Sequence, residues 1–419
     1  MEAASNRDGF FFYKKMRYVH FFNPGHEMAV FKGHPSYTPP SNVHKMMKEL
    51  ELLPVWYASP NDYVLVEEAE KISKQSLPDA FRPFAKAVSV EEVLRNGASL
   101  PPATVNPWGE SPHSLHMFSK LKKISGWDLQ IPKWNPVCKT LCGRQTASDC
   151  LKMMQEILPE AKNLKPPLFC TTLEEIYTAF SSFQFPVLCK MPYSSSGRGL
   201  LWLESEELAV AERNWINGAI KRQGSLSVEP ALDKVSDFAM EFYSDGQGNV
   251  VFKGISCFTT EGRGAYSGNR LDSQKALREE LSAFIGSDLL DRTEQSAIEV
   301  LKKIFGRQYT GFLGVDMLIY KDMDQNYQIH PCIEINMRYT MGMLAIHLYE
   351  NYISERTTGY FAVTFHKKPG DAYRKHCEMM QKHPQLFEGN KLLSGYLPLC
   401  PVTECNHYIA YILATVTYS

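Results

Sequence analysis

Two apolar, β-branched runs separated by a short polar one constrain this chain more than any other stretch: Gly314-Val-Asp316-Met-Leu-Ile-Tyr320 and Tyr327-Gln-Ile-His-Pro-Cys-Ile-Glu334-Ile-Asn336-Met. Residues 315–320 and 327–337 have the composition of strands, and 322–326, Asp-Met-Asp-Gln-Asn, that of the loop between them. Side chains alternate along a strand, so Glu334, Asn336 and Arg338 project from one side. Antiparallel pairing about that loop sets Asp316 opposite about Cys332, on the same face. Two carboxylates and an amide oxygen in one patch are hard ligands suited to Mg²⁺, with Mn²⁺ a second candidate. The guanidinium beside them can fork onto a phosphate or a carboxylate. A solvated sheet face with a structural ion pair has the same spacing.

A second stretch, Pro186-Val-Leu-Cys-Lys190-Met-Pro-Tyr-Ser194-Ser195-Ser196-Gly197-Arg198-Gly199-Leu-Leu-Trp-Leu, reads as strand, small-residue loop, strand. A lysine ending an apolar strand, followed by a loop of free backbone N–H groups, can surround a polyphosphate with positive charge. No Gly-Lys-Ser/Thr closes the loop, so it is not a Walker A motif. A plain hairpin turn has the same composition.

Taken in order, these stretches resemble the ATP-grasp superfamily over about residues 138–350. In that family a lysine strand and a glycine-rich loop of a small lid close over ATP, while an acidic pair followed by Asn and Arg holds magnesium from the larger part. The resemblance implies that Lys190, Ser195, Ser196 and Gly197 meet phosphates. It makes Val228-Glu229-Pro-Ala231-Leu232 the hinge at the adenine, with Glu229 on the base or ribose and the Ala231 and Leu232 backbone at the base edge. Asp237, at the start of the next strand pair, counts among the nucleotide contacts. Asp316, Glu334 and Asn336 fall at the metal positions, and Arg338 at the γ-phosphate or substrate carboxylate. Arg144 precedes the helix-like 145–156 and stands where many members carry a nucleotide-binding lysine; Lys139 is its rival.

The implied fold is an N-terminal three-layer α/β domain (1–130) followed by a two-subdomain α+β ATP-grasp domain (131–365, lid about 165–232). An extension, 366–419, packs on the core. The implied reaction moves the γ-phosphate of ATP onto a carboxylate, and an amine or thiol then displaces it. A kinase on the same fold and a non-catalytic ATP-binding regulator are the alternatives. The expected partners are small molecules, with a homodimer possible.

Composition excludes little but agrees. The chain has 419 residues, 44% of them hydrophobic and 22% charged, with a formal net charge of −1, so nothing draws it to nucleic acid or an anionic membrane. No apolar run reaches the about 18 residues of a membrane helix, and the charged N-terminus is unlike a signal peptide, so a cytoplasmic location is expected. The ten cysteines are scattered, several within apolar strands, as reduced core thiols are. Cys138 and Cys142 lack a second metal-ligand pair. Tyr18–Phe22 and Pro54–Tyr57 read as strands, 90–96 as a helix and 101–110 as a loop, a layered α/β pattern.

Asn23-Pro-Gly-His26-Glu27 follows the first strand, where open α/β sheets place ligand loops. Asn23, His26 and Glu27 are therefore candidates for substrate contact or proton transfer; a helix-capping turn is the alternative. Gly262-Arg263-Gly-Ala-Tyr-Ser-Gly-Asn-Arg270 follows the strand-like 250–258, and either Arg263 or Arg270 is expected at the γ-phosphate. Asn106–Glu110 invites a weaker functional reading. His113, His116, His347 and His366 show no metal spacing and read as packed or surface residues.

Overall fold

Tyr63-Val-Leu-Val66 is buried throughout, and its side chains divide by parity: Val64 and Val66 enter one hydrophobic cluster, Tyr63 and Leu65 another. A strand covered on both faces belongs in the middle of a layered α/β unit. In the computed structural model, which describes residues 16–68, 70, 72, 77–81, 84–194, 199–261 and 264–417, it lies in a five-stranded parallel sheet. The strands are β1 (Tyr18–Phe21), β2 (Tyr63–Val66), β3 (Lys86–Ser89), β4 (Ala103–Pro107) and β5 (Leu129–Gln130), in the order β3-β2-β1-β4-β5. One face packs under the helix Pro112–Ser125. That helix starts on a Ser111/Ser114 capping box and stops at Gly126, whose φ of 70° suits glycine.

Two expectations fail here. Residues 53–56 form a 3-10 turn, with Pro54 near its start, and Trp56 plunges into the core instead of lying in a strand. Residues 103–107, expected as loop, form β4, because Ala103 and Val105 alternate inward while Pro107 occupies only its end.

The second sheet, β6 (Leu168–Cys170), β7 (Val187–Lys190), β8 (Leu200–Leu203) and β9 (Leu226–Pro230), is antiparallel in the order β6-β9-β7-β8. It carries the helices Leu173–Phe180 and Val210–Gln223 over a core of its own.

The third sheet has nine strands: β10 (Asp233–Asp245), β11 (Val250–Glu261), β12 (Ala265–Leu271), β13 (Thr310–Lys321), β14 (Tyr327–Asn336), β15 (Thr357–Phe365), β16 (Leu386–Glu388), β17 (Lys391–Pro398) and β18 (Tyr408–Val416). Their order is β14-β13-β10-β11-β12-β15-β18-β17-β16. Residues from 366 onward supply the three strands at one end of this sheet, β18, β17 and β16. One face, with Phe238, Met240, Phe242, Val315 and Met317, meets the helices Arg144–Ile157 and Ser287–Ile304. The opposite face meets the helix Met341–Tyr352, and its cluster runs on into the first sheet, where the Trp56 indole donates to the Leu399 carbonyl at 2.7 Å. Among the described residues no helix is long and apolar enough to cross a membrane.

Candidate active site

The β13–β14 hairpin sets the site, with a register that simple counting does not give. Leu318 pairs with His330 as a tight loop requires, but Asp316 pairs with Glu334, so β14 takes four steps where β13 takes two. Pro331 lies in this irregular stretch of an edge strand, where the missing N–H costs least. Cys332, expected opposite Asp316, instead turns into the core beside Cys150. The two carboxylates are therefore direct cross-strand neighbours. Asn336 and Arg338 continue along the same face.

Charge around the pair is dense. Arg144, at the start of its helix, reaches Glu334 at 3.1 Å and donates to the Met191 carbonyl at 2.9 Å and to Ser194 Oγ at 3.3 Å. Arg144, not Lys139, therefore enters the site. Its Nη1 is buried without a hydrogen-bond partner. Arg338 donates to Glu27 at 2.5 Å and to Asn336 Oδ1 at 2.9 Å. Burial alone would raise the Glu27 carboxyl; Arg338 and His26 outweigh it and hold the group well below the usual range. Burial, then Glu334 and Glu241, push the Asp316 carboxyl far above its ordinary value. An excess of carboxylate of this kind is what a cation relieves.

Glu241 is a further residue of the site that no spacing motif in the sequence marks. It stands on β10, 1% exposed, and accepts hydrogen bonds from Thr340 Oγ1 (2.9 Å) and Ser256 Oγ (3.2 Å). A Cβ on Gly314 or Gly342 would lie 2.9 or 2.2 Å from its carboxylate oxygens, so two glycines keep its space open. Burial, against those two hydrogen bonds and Arg338, pushes its pKa to about 7. The usable signal is a glutamate inside the otherwise apolar and aromatic stretch 238–243.

Two clefts meet at Asp316 and Glu334. The first, between the second and third sheets, has apolar walls from Leu188, Trp202, Leu232 and Ile333, with Arg144, Lys190, Glu229, Ala231 and Asp237 also lining it. Lys190 pairs with Glu229, and Asp237 accepts from Lys234 and Thr260. Trp202 Nε1 and His330 Nδ1 are buried there without partners, and burial, then Lys190, lower His330 to about 3, so its ring is neutral. The second cleft lies between the third sheet and the N-terminal unit, bounded by Pro24, Trp108, Glu241, Tyr266, Asn269 and Arg338.

Other predicted residues fall elsewhere. Asn23 spends both ends of its amide on the Gly109 backbone, at 2.7 and 3.1 Å, and ties two loops together. His26 is buried against Gly109, and Glu27 reaches the site through Arg338. Arg270 is bound to Asp272 and Glu280 and lines neither cleft, because Asn269, its neighbour on β12, takes the cleft-facing side. Ser195, Ser196, Gly197 and Arg263 lie outside the described residues.

Among the described residues no three His, Cys, Asp or Glu side chains converge as a closed metal cage. A carboxylate pair with an adjacent amide still fits Mg²⁺, which commonly takes one or two carboxylates and completes its shell with phosphates and water.

No family model and no curated protein sequence matches the chain. Solved structures do. Biotin carboxylase from Campylobacter jejuni, in a β,γ-ATP complex, is 14% identical with a TM-score of 0.52, over 96% of this chain and 88% of that one. The biotin carboxylase domain of the Hydrogenobacter thermophilus 2-oxoglutarate carboxylase, with MgADP, ADP and bicarbonate, is also 14% identical with a TM-score of 0.52, over 96% and 86%. Likeness at that identity speaks for the fold: the chain is built on the ATP-grasp fold, a three-layer α/β unit followed by the two-part grasp.

Proposed function

We propose that the protein is an Mg²⁺-dependent, ATP-using ligase that activates a small carboxylate as an acyl phosphate for attack by an amine or thiol. One observation carries this reading: an apolar-walled cleft with Lys190 and Glu229, and a polar cleft with Arg338 and Glu241, open onto the same Asp316–Glu334 pair. A nucleotide in the first would present its γ-phosphate to a carboxylate in the second.

In this reading the base lies against Trp202 and Leu232, the Lys190 ammonium neutralises phosphate oxygens, and Glu229 takes the base or ribose. Arg144 meets the phosphates beside Glu334. Asp316, Glu334 and Asn336 would hold Mg²⁺, which when bound would neutralise phosphate charge. Arg338, fixed by Glu27 and Asn336, offers a guanidinium to the charge that collects as the phosphoryl group leaves ADP. The acyl phosphate then has a leaving group that a bare carboxylate lacks. No covalent protein nucleophile enters. Catalysis rests on positioning and electrostatics.

The test is ADP release from Mg·ATP in the presence of panels of carboxylic acids and amines or thiols. A ligase releases ADP only when one acid and one acceptor are both present. A phosphorylated acceptor formed without acid would mark a kinase and overturn the reading, and so would Mg·ATP that binds with no turnover across the panels.

A further inference from the structure

At the seam between the first and third sheets lies another cavity, of about 540 Å³. Its wall is aromatic. Tyr57 and Tyr339 stack at 4.0 Å between centroids, and Trp108 and Phe312 each meet Tyr339 edge-on at 5.0 Å. Tyr243 continues the cluster 5.1 Å from Phe312 and already carries a cation, the Lys253 ammonium, 5.9 Å from its ring.

Glu110 lines this cavity. Burial pushes its carboxyl to about 7. Its charge, after burial, also helps raise the Cys138 thiol and the Tyr309 phenol next to it. Among the described residues Glu110 makes no hydrogen bond and no ion pair. Nor is it loosely placed: the Gly109 backbone before it is fixed by both ends of the Asn23 amide, and Ser111 after it caps a helix. The remaining charged side chain of the wall, Lys133, is exposed. The fold thus sets a half-buried carboxyl with no protein partner on the wall of an aromatic cavity. Ring faces attract cations through their quadrupole, and a half-buried carboxylate beside them supplies the counter-charge.

We propose that this cavity is a binding site for a small organic cation, an ammonium or N-methylated ammonium on a flat apolar body, with Glu110 as counter-ion and Tyr57, Trp108 and Tyr339 as the ring wall. The site stands apart from the nucleotide reading. It shares no lining residue with the nucleotide cleft and only Trp108 with the acidic one.

The experiment uses the full chain without nucleotide. Benzylamine, tetramethylammonium and the neutral benzyl alcohol are titrated by calorimetry and by ligand-detected NMR. Both cations should saturate one site, with the alcohol at least about tenfold weaker. Glu110→Gln, which keeps shape and removes charge, should weaken benzylamine about tenfold while leaving Mg·ATP affinity and the unfolding midpoint at neutral pH no lower than the parent's. Tyr243→Leu should give a smaller loss. The proposal is overturned if neither cation saturates at millimolar concentration, if the alcohol binds as well as the amine, or if Glu110→Gln binds benzylamine like the parent.

Discussion

Gly342→Ala sets two physical effects against each other. Gly342 opens the helix Met341–Tyr352, and alanine in a helix is favoured over glycine by up to about 1 kcal/mol. The added methyl, however, would sit 2.2 Å from Glu241 Oε1, 2.2 Å from Ser256 Oγ and 2.9 Å from Ser256 Cβ. The serine hydroxyl can rotate away, but its Cβ moves only with β11. The glutamate cannot retreat either, since Gly314 approaches its other oxygen to within 2.9 Å of an ideal Cβ and only 1% of the residue is exposed. Overpacking costs about 1–3 kcal/mol and a lost hydrogen bond to a buried carboxylate about 1–3 more. The clash therefore wins, by about 1–6 kcal/mol with a central value near 3. With a urea slope near 3 kcal/mol/M the midpoint falls by about 1 M. Adding Glu241→Ala should restore part of the loss, a coupling of about 1–2 kcal/mol that purely helical effects would not show. A Gly342→Ala protein as stable as its parent in urea would refute the placement of Glu241 at the cleft floor.

Further outcomes follow from single contacts. Glu241 has a folded-state pKa of about 7, above the ordinary 4.5, so the folded protein retains a proton that the unfolded chain loses, and its contribution to stability falls as pH rises from about 4.5 to 7. Glu241→Gln should flatten that part of the pH–stability curve by up to about 3 kcal/mol; an unchanged slope counts against the assignment. Asn23→Ala leaves the buried Gly109 amide unpaired and its carbonyl with only the 3.5 Å hydrogen bond from Ser114 Oγ, and thermal unfolding should show a loss of about 1–3 kcal/mol, whereas a neutral result would return Asn23 to the substrate candidates. Arg270→Ala should leave Mg·ATP affinity within about twofold of the parent, because its charge is spent on Asp272 and Glu280; a loss above about tenfold would place it at the phosphates after all.

The sequence was most readable where period and chemistry agreed. Lys190 at a strand end and the Arg144 helix start are local patterns that line the first cleft, and the Glu334-Asn336-Arg338 alternation is a local pattern that lines the second, the two clefts meeting at Asp316 and Glu334. What failed was non-local. The slip beside Pro331 changes which residue faces Asp316, and no count along the chain reveals it. Arg263 and Arg270 looked equivalent in sequence, but strand parity sends Arg270 away from the cleft. Glu241 stands out only as a lone glutamate within the apolar 238–243, a weak signal whose meaning depends on Thr340, Ser256 and two glycines that arrive from distant segments. The place of Asn23 after the first strand invites a ligand reading, because such loops often bind, but its amide is used on the Gly109 backbone.

The most direct test is calorimetry of ATP against the full chain, with and without Mg²⁺, for the parent, Lys190→Ala and Glu334→Gln. The account predicts one nucleotide site, weakened about tenfold or more by Lys190→Ala, and a gain in affinity on adding Mg²⁺ that Glu334→Gln abolishes. Parent-like affinity in Lys190→Ala together with an undiminished Mg²⁺ effect in Glu334→Gln would contradict it.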